Sequence, residues 1–275
     1  MCETKKFSLI NFDGAADVIN NLIDKLADGA SWIANHETPK RVAIDTYISD
    51  IQKSDYEPII KAALISSAQK SIKEYCNQNK IVNIAMSSVE ENAKPQNIDN
   101  DWIAQYMDKI RLVSDEEFQM IWGKILATEC NQPNTIPRVL LHTLERMDRE
   151  DAEAFTTLCS LAVMVEDEYA PIILQKRFNE YQKFGITYNE IVSLGSLGLI
   201  ETDFGVNAAG YSLASKEKVA VVKYFENEYT FISEKKNVNV GNVIFTKSGL
   251  ALRKAITVQA VEGFWEEFCK PLWSL

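Results

Sequence analysis

The stretch TYNEIVSLGSLGLIE, from Thr187 to Glu201, decides how the chain is read. Thr187 and Glu190 have the spacing of a capping box, in which the threonine oxygen takes an orphan helix N–H and the glutamate reaches back to the cap. A short helix through Ile191, Val192 and Leu194 is therefore predicted. Gly195 and Gly198 end it, because glycine accepts the left-handed conformation common at helix ends. Leu199-Ile200-Glu201 then begins a strand. Downstream, Val219 to Phe225 and Tyr229 to Ile232 are β-rich, and Gly241 to Phe245 is a further strand. Thr246-Lys-Ser248 leads into a helix, and an amphipathic segment around Phe264, Trp265, Phe268 and Trp273 closes the chain. Upstream, Pro171 to Tyr181 is predicted helical. Helix, short capped helix, strands and hairpin is the order of a winged helix.

Everything before this part has a helical period. Val18, Ile19, Leu22, Ile23, Leu26, Ala30 and Ile33 recur at three- and four-residue spacing over Gly14 to Ile33, with Asp13 as the expected N-cap. Asn35 to Pro39 breaks the pattern. A second helix is predicted over Arg41 to Lys53, and one long or two abutting helices over Tyr56 to Val89. After the polar linker Glu91 to Asn100, Trp102, Ile103, Tyr106, Ile110 and Leu112 form one apolar face. Ser114 and Glu117 suggest another capping box before Phe118, Ile121, Trp122, Ile125 and Leu126. Past the turn-rich loop Asn131 to Pro137 come a helix through Leu144 and another, capped by Asp148, through Phe155 to Val165. The expected fold is mainly α: an N-terminal helical bundle followed by an α+β, winged-helix-like C-terminal part. Its segments are 1–94 (amphipathic helices and a long spine helix), 95–166 (a compact helical core) and 167–275.

The 275 residues are 46% hydrophobic and 25% charged, which is enough for a packed core. The net charge is −10, and residues 1–147 and 148–275 each carry −5. Neither part supplies the basic footprint that drives non-specific nucleic-acid binding, and the overall field repels anionic membranes. The five cysteines, Cys2, Cys76, Cys130, Cys159 and Cys269, are scattered without C-x-x-C spacing, which suits free thiols in a reducing cytosol. No signal-peptide core or run of about 18 apolar residues occurs, so a cytoplasmic protein without a membrane span is expected.

Motifs for chemistry are sparse. His36 and His142 are the two histidines, and neither sits in a zinc-binding pattern. Walker loops and dinucleotide fingerprints are missing, and in Leu194-Gly-Ser-Leu-Gly198 the serine stands one place too early for a nucleophile elbow. The acidic clusters at Asp99 and Asp101, Asp115 to Glu117, Asp148 and Asp151, and Glu166 to Glu168 suit helix starts and turns. Glu234 and Lys236 echo the tail of a nuclease metal motif without its upstream aspartate. No catalytic residue, metal or cofactor is expected. The short helix from Thr187 to Ser196 has no Lys or Arg, the residues that position phosphate and read guanine. Lys216, Lys218, Lys223, Lys235, Lys236 and Lys247 follow it, and Lys235 and Lys236 are the candidate wing contacts.

Between Asp101 and Phe155 several features combine. They are Asp101-Trp102, Val113-Ser-Asp-Glu-Glu117, Gln119-x-x-Trp122-Gly-x-Ile125-Leu-Ala127-x-Glu129, a proline-bearing loop, Arg138-x-x-Leu141 and Asp151-Ala152-x-x-Phe155. This block resembles the bacterial domain-of-unknown-function 2806 family. Weaker likeness extends over Asn79 to Glu91 and Phe245-Thr-x-x-Gly249-x-x-Leu252, and a looser one reaches the alpha class of abortive-infection proteins. The family has no assigned catalytic residues to carry over. Trp102, Trp122, Leu126 and Phe155 are expected as packing anchors, with Glu129 and Arg138 pairing across the loop; a ligand site around Arg138 is the alternative. The resemblance implies a non-enzymatic protein of anti-phage defence, acting on a phage or host protein or by self-association. The rival readings are a winged-helix regulator binding DNA as a dimer and a metal-dependent nuclease on the C-terminal strands.

Overall fold

The computed structural model describes residues 16–32, 41–215, 219–232 and 237–273, with backbone alone over 41–44. Lys235, Lys236, Glu234, Lys216, Lys218, His36 and Cys2 lie outside the described residues. The chain divides into two compact units, Met1–Ile136 and Pro137–Leu275. The division falls at the end of the proline-bearing loop, within the segment 95–166.

The first unit is helical. α1 (Ala16–Ala30) buries Val18, Leu22 and Leu26, one residue per turn. α2 (Arg41–Lys53) precedes the long α3 (Pro58–Met86), which has Pro58 in its first turn, where a missing N–H costs nothing. α3 buries Asn77, Ile81, Val82 and Ala85, all in its C-terminal half. A 3-10 turn at Pro95–Asn97 leads to α4 (Asn100–Ile110), capped by Asp99, whose carboxylate accepts from the Trp102 N–H at 2.9 Å. α4 buries Trp102, Ile103, Tyr106, Met107 and Ile110.

α5 (Glu116–Asn131) starts one residue later than a cap at Ser114 would place it. Asp115 is the cap and accepts from both Glu117 and Phe118, because a carboxylate offers more lone pairs than a hydroxyl. Gly123 lets α5 approach α3: a Cβ there would lie 2.4 Å from Ile84 Cγ2 and 3.1 Å from the Ile81 carbonyl. The aromatic core is keyed by Tyr106, stacked on Trp102 with centroids 5.1 Å apart and edge-on to Trp122 at 5.5 Å. Its hydroxyl donates to the Trp122 carbonyl at 2.7 Å. Each such large side chain stabilises the unit by roughly 1.5–3 kcal/mol on burial.

The second unit mixes helices with small antiparallel sheets. α6 (Arg138–Arg146) buries Leu140, Leu141 and Leu144. α7 (Arg149–Ser160) is opened by a capping box of Asp148 and Asp151. The expected continuation of helix to Val165 gives way to a hairpin, β1 (Ala162–Val165) and β2 (Glu168–Pro171), turned at Glu166 with φ 54°. Ala-Val-Met-Val is a short apolar run with two β-branched residues, which periodicity cannot assign but sheet pairing can. Nor does Pro171 begin a helix. It ends β2, and a kinked 3-10 stretch, Gln175–Phe184, follows after Ile172 and Ile173.

α8 (Tyr188–Ser196) carries the expected box of Thr187 and Glu190. Gly198 adopts φ 71° beyond its end, and the Leu199 N–H returns to the Leu194 carbonyl at 3.0 Å. β3 (Ile200–Thr202) pairs with β8 (Val243–Phe245), and β4 (Tyr211–Ala214) with β7 (Asn237–Gly241). Between them β5 (Val219–Tyr224) and β6 (Asn227–Ile232) fold back onto the first hairpin, giving a four-stranded sheet in the order β2-β1-β5-β6. α9 (Lys247–Ala255) follows, capped by Thr246. A π-helical turn, Trp265–Cys269, and α10 (Lys270–Trp273) complete the unit. This last segment packs through aromatic rings: Trp265 stacks on Tyr229 with centroids 3.5 Å apart, and Trp273 on Phe231 at 5.5 Å. The fold is mainly α with some β. Among the described residues no helix is long and apolar enough to cross a membrane.

Candidate interaction surfaces

Glu129, a buried carboxylate in the Asp101–Phe155 block, is the natural place to look for a site. It is 1% exposed near the end of α5, and its hydrogen bonds run to its own loop. One carboxylate oxygen accepts from Asn134 N–H at 2.5 Å; the other accepts from Thr135 at 3.2 Å and Ile136 at 2.8 Å. Burial pushes this carboxyl up, and the three N–H groups pull it back part of the way. The Ile136 carbonyl is held in turn by the Trp102 indole N–H at 3.1 Å. Glu129 and Trp102 thus grip both polar faces of one loop residue, a scaffold function for two positions of the 101–155 block. Trp122 and Leu126 are fully enclosed beside them in the first unit. Arg138 is exposed at the first position of α6, and Phe155 is buried against Phe245 at 5.8 Å, both in the second unit.

The thiols do not form a site. Cys130, Cys159 and Cys269 are buried and free, and burial raises each of them, Cys130 to about 12. His142 is exposed, with Nδ1 4.0 Å from Glu145. Among the described residues no group of three or more His, Cys, Asp or Glu is placed to hold a metal ion.

Among the described residues, two groups of exposed apolar side chains stand out beside isolated ones such as Leu112 and Val139. On the second unit, α8 turns Ile191 and Leu194 inward and leaves Tyr188 59% and Val192 51% exposed, four residues apart on one face. Tyr188 stands 6.3 Å from the half-buried Phe178 and 6.4 Å from Phe204; those two meet edge-to-face at 5.6 Å. Val206, two residues beyond Phe204, is fully exposed. The helix has one charged side chain, and that one is committed. Glu190 accepts from the Thr187 N–H at 2.8 Å and from the Thr187 hydroxyl, which holds its carboxyl below the usual range. Ser193 donates to Asp151 at 2.5 Å, fixing α8 to α7. The result is a neutral aromatic platform of Phe178, Tyr188 and Phe204. Sequence reading missed Phe178 and Phe204 because residues 26 positions apart carry no periodic signal; the Tyr188/Val192 spacing was the visible clue.

On the first unit, while Leu112 and Met120 are exposed elsewhere, Tyr47 of α2, Tyr56, and Ile59, Ile60 and Leu64 of α3 are exposed close together in sequence. They contrast with Ile81, Val82 and Ala85 of the same helix, which are fully enclosed.

Fold and surfaces together define a mainly α-helical protein with small antiparallel sheets and two apolar faces. The chain belongs to the family described as "Protein of unknown function (DUF2806)", whose model matches residues 66–269. No curated protein and no solved structure matches it.

Proposed function

We propose that this chain is a non-enzymatic interaction protein whose second unit works as a winged-helix-like protein-binding module. The observation that carries this reading is the solvent face of α8. In this reading α8 is the recognition helix, supported by its being followed by β3, an elongated wing and β8, although the β1–β2 hairpin and the 3-10 stretch intervene between α7 and α8. A DNA reader needs Lys or Arg there for phosphate and guanine. α8 instead offers Tyr188, Asn189, Val192 and Ser196, with Glu190 spent on its own cap. Aromatic side chains beside a polar rim are what protein interfaces enrich.

The setting we propose is bacterial defence against phage, on the looser likeness of the Asp101–Phe155 block to alpha-class abortive-infection proteins. The partner is then a phage or host protein. Cells expressing the chain should plate phage less efficiently than cells without it, and Tyr188→Asp with Val192→Asp should abolish protection while the purified variant keeps its melting temperature. Protection that survives both substitutions removes α8 as the contact face. A DNA gel shift with a steep salt dependence would instead support the regulator reading.

A further inference from the structure

We infer that the N-terminal half of α3 pairs antiparallel with the same half of a second copy of this chain, with the two-fold axis near Leu64. This concerns the first unit and stands apart from the reading of α8. From Tyr56 to Ile72 the sequence is rich in Ile, Leu and Ala around the whole helix, a pattern that belongs to buried helices. Yet Tyr56 is 55%, Ile59 79%, Ile60 45% and Leu64 37% exposed. α2 is joined to this half, with Lys61 Nζ donating to the Gln52 carbonyl at 2.9 Å and Ile51 buried, but it leaves that face open.

The open face has a register. Glu57, Ile60, Leu64, Ser67 and Ser71 recur at spacings of three and four, and all five are exposed. This stripe, apolar at Ile60 and Leu64 and polar at Glu57, Ser67 and Ser71, is the seam along which a second helix can pack. The charges select the partner and its direction. Asp55 lies in the bend before α3 and Glu57 is its N-cap, nine and seven residues before Leu64; Lys70, 3.9 Å from Glu74 of its own helix, and Lys73 stand six and nine residues after it. An antiparallel copy centred on Leu64 sets Glu57 near Lys70 of the other chain and Asp55 near its Lys73, at both ends of the seam. A parallel copy would set like charges together. Residues 41–72 carry four cationic and four anionic side chains, a neutral stretch on a chain of net charge −10. Two copies meeting here avoid the repulsion that the rest of the acidic surface imposes. A C₂ contact is self-complementary in this sense, since each residue and its opposite number exchange roles.

The test is sedimentation equilibrium on the full chain. The wild type should dimerise, and Leu64→Asp should leave a monomer with an unchanged circular-dichroism spectrum, because Leu64, 37% exposed, is not among the enclosed core residues. Glu57→Lys and Lys70→Glu should each raise the dissociation constant about tenfold, since each replaces two attractive contacts by two repulsive ones. The double variant Glu57→Lys/Lys70→Glu should return to within about twofold of wild type. A wild-type chain that stays monomeric at about 100 µM, well above the range of useful self-association, overturns the inference. So does a dimer indifferent to Leu64→Asp, or single charge variants that the double variant does not rescue.

Discussion

Gly249 and Gly195 make a paired experiment in which the same substitution should have opposite signs. Both are helical glycines with ordinary negative φ, so alanine fits the backbone at either and gains about 0.5–1 kcal/mol in helix propensity. Their surroundings differ. A Cβ on Gly195 would meet nothing within 4 Å, whereas one on Gly249 would lie 2.1 Å from the Leu199 carbonyl oxygen and 3.3 Å from Phe245 Cδ1. To restore a normal contact α9 must retreat from the Leu199 backbone just before β3 by about 1 Å, for real Cβ atoms do not approach closer than 3.0 Å. The start of α9 is tied to the same backbone: Thr246 N–H donates to the Leu199 carbonyl at 3.0 Å and Thr246 Oγ1 to the Gly198 carbonyl at 2.6 Å. Stretching those two bonds costs about 1 kcal/mol each, and displacing the buried Ala251, Leu252 and Ala255 adds about 1–3 kcal/mol of misfit. After the propensity gain, Gly249→Ala should destabilise by about 2–4 kcal/mol and Gly195→Ala should stabilise by about 0.5 kcal/mol. Urea unfolding followed by fluorescence gives both numbers. Equal shifts of the same sign at the two positions would refute the close-approach reasoning.

Glu129→Ala should lower stability by about 2 kcal/mol by leaving the buried Ile136 N–H and the partly buried N–H groups of Asn134 and Thr135 without their acceptor, and hydrogen exchange at these three residues should speed up first. Cys130, Cys159 and Cys269 should resist alkylation of the folded protein at neutral pH, since burial keeps them protonated, and should all react in denaturant. Glu190 has a folded-state pKa below its unfolded value, so its contribution is complete above the ordinary carboxylate range and is lost as pH falls through the lowered value. Glu190→Gln should therefore flatten that part of the acid limb of a stability–pH curve.

Much of the fold could be read from local chemistry. The Thr187/Glu190 box, the glycine after α8, the helix that follows Thr246 and the stripe of Trp102, Ile103, Tyr106 and Ile110 in α4 are each written within a few residues and appear where they were expected, whereas Leu112, expected on that face, lies beyond α4 and is exposed. The cap of α5 moved from Ser114 to Asp115 because adjacent residues compete for one role and the carboxylate accepts two N–H groups. The hairpin of β1 and β2 was hidden for a different reason. Ala162 to Val165 continues the apolar run of α7, and what makes it a strand is pairing with β2 and with β5, some sixty residues away. The aromatic platform was equally non-local, since it joins the 3-10 stretch, α8 and the loop after β3. Glu129 was recognised as special, but its partners are backbone groups, which no side-chain pattern reveals.

The family pattern and the exposed faces now separate by role. Trp122 and Gly123 seat α5 on α3, Trp102 and Glu129 hold the loop before α6, and Thr246 with Gly249 docks α9 on β3. A position whose side chain is fully enclosed or whose Cβ has no room can change the fold's stability, but it cannot touch a partner. On the proposed interaction function, recognition would reside at side chains the pattern leaves unspecified, such as Tyr188 and Val192. Gly123→Ala, which forces a Cβ to 2.4 Å from Ile84, should lower the melting temperature and reduce any cellular activity only in proportion to the folded protein lost. Tyr188→Asp should do the reverse, removing activity at full stability, because its ring is 59% exposed and supports no enclosed contact. If Gly123→Ala abolished activity while the protein remained folded and abundant, the division between scaffold and contact face would fail. Activity would then depend on the spacing of α3 and α5 itself.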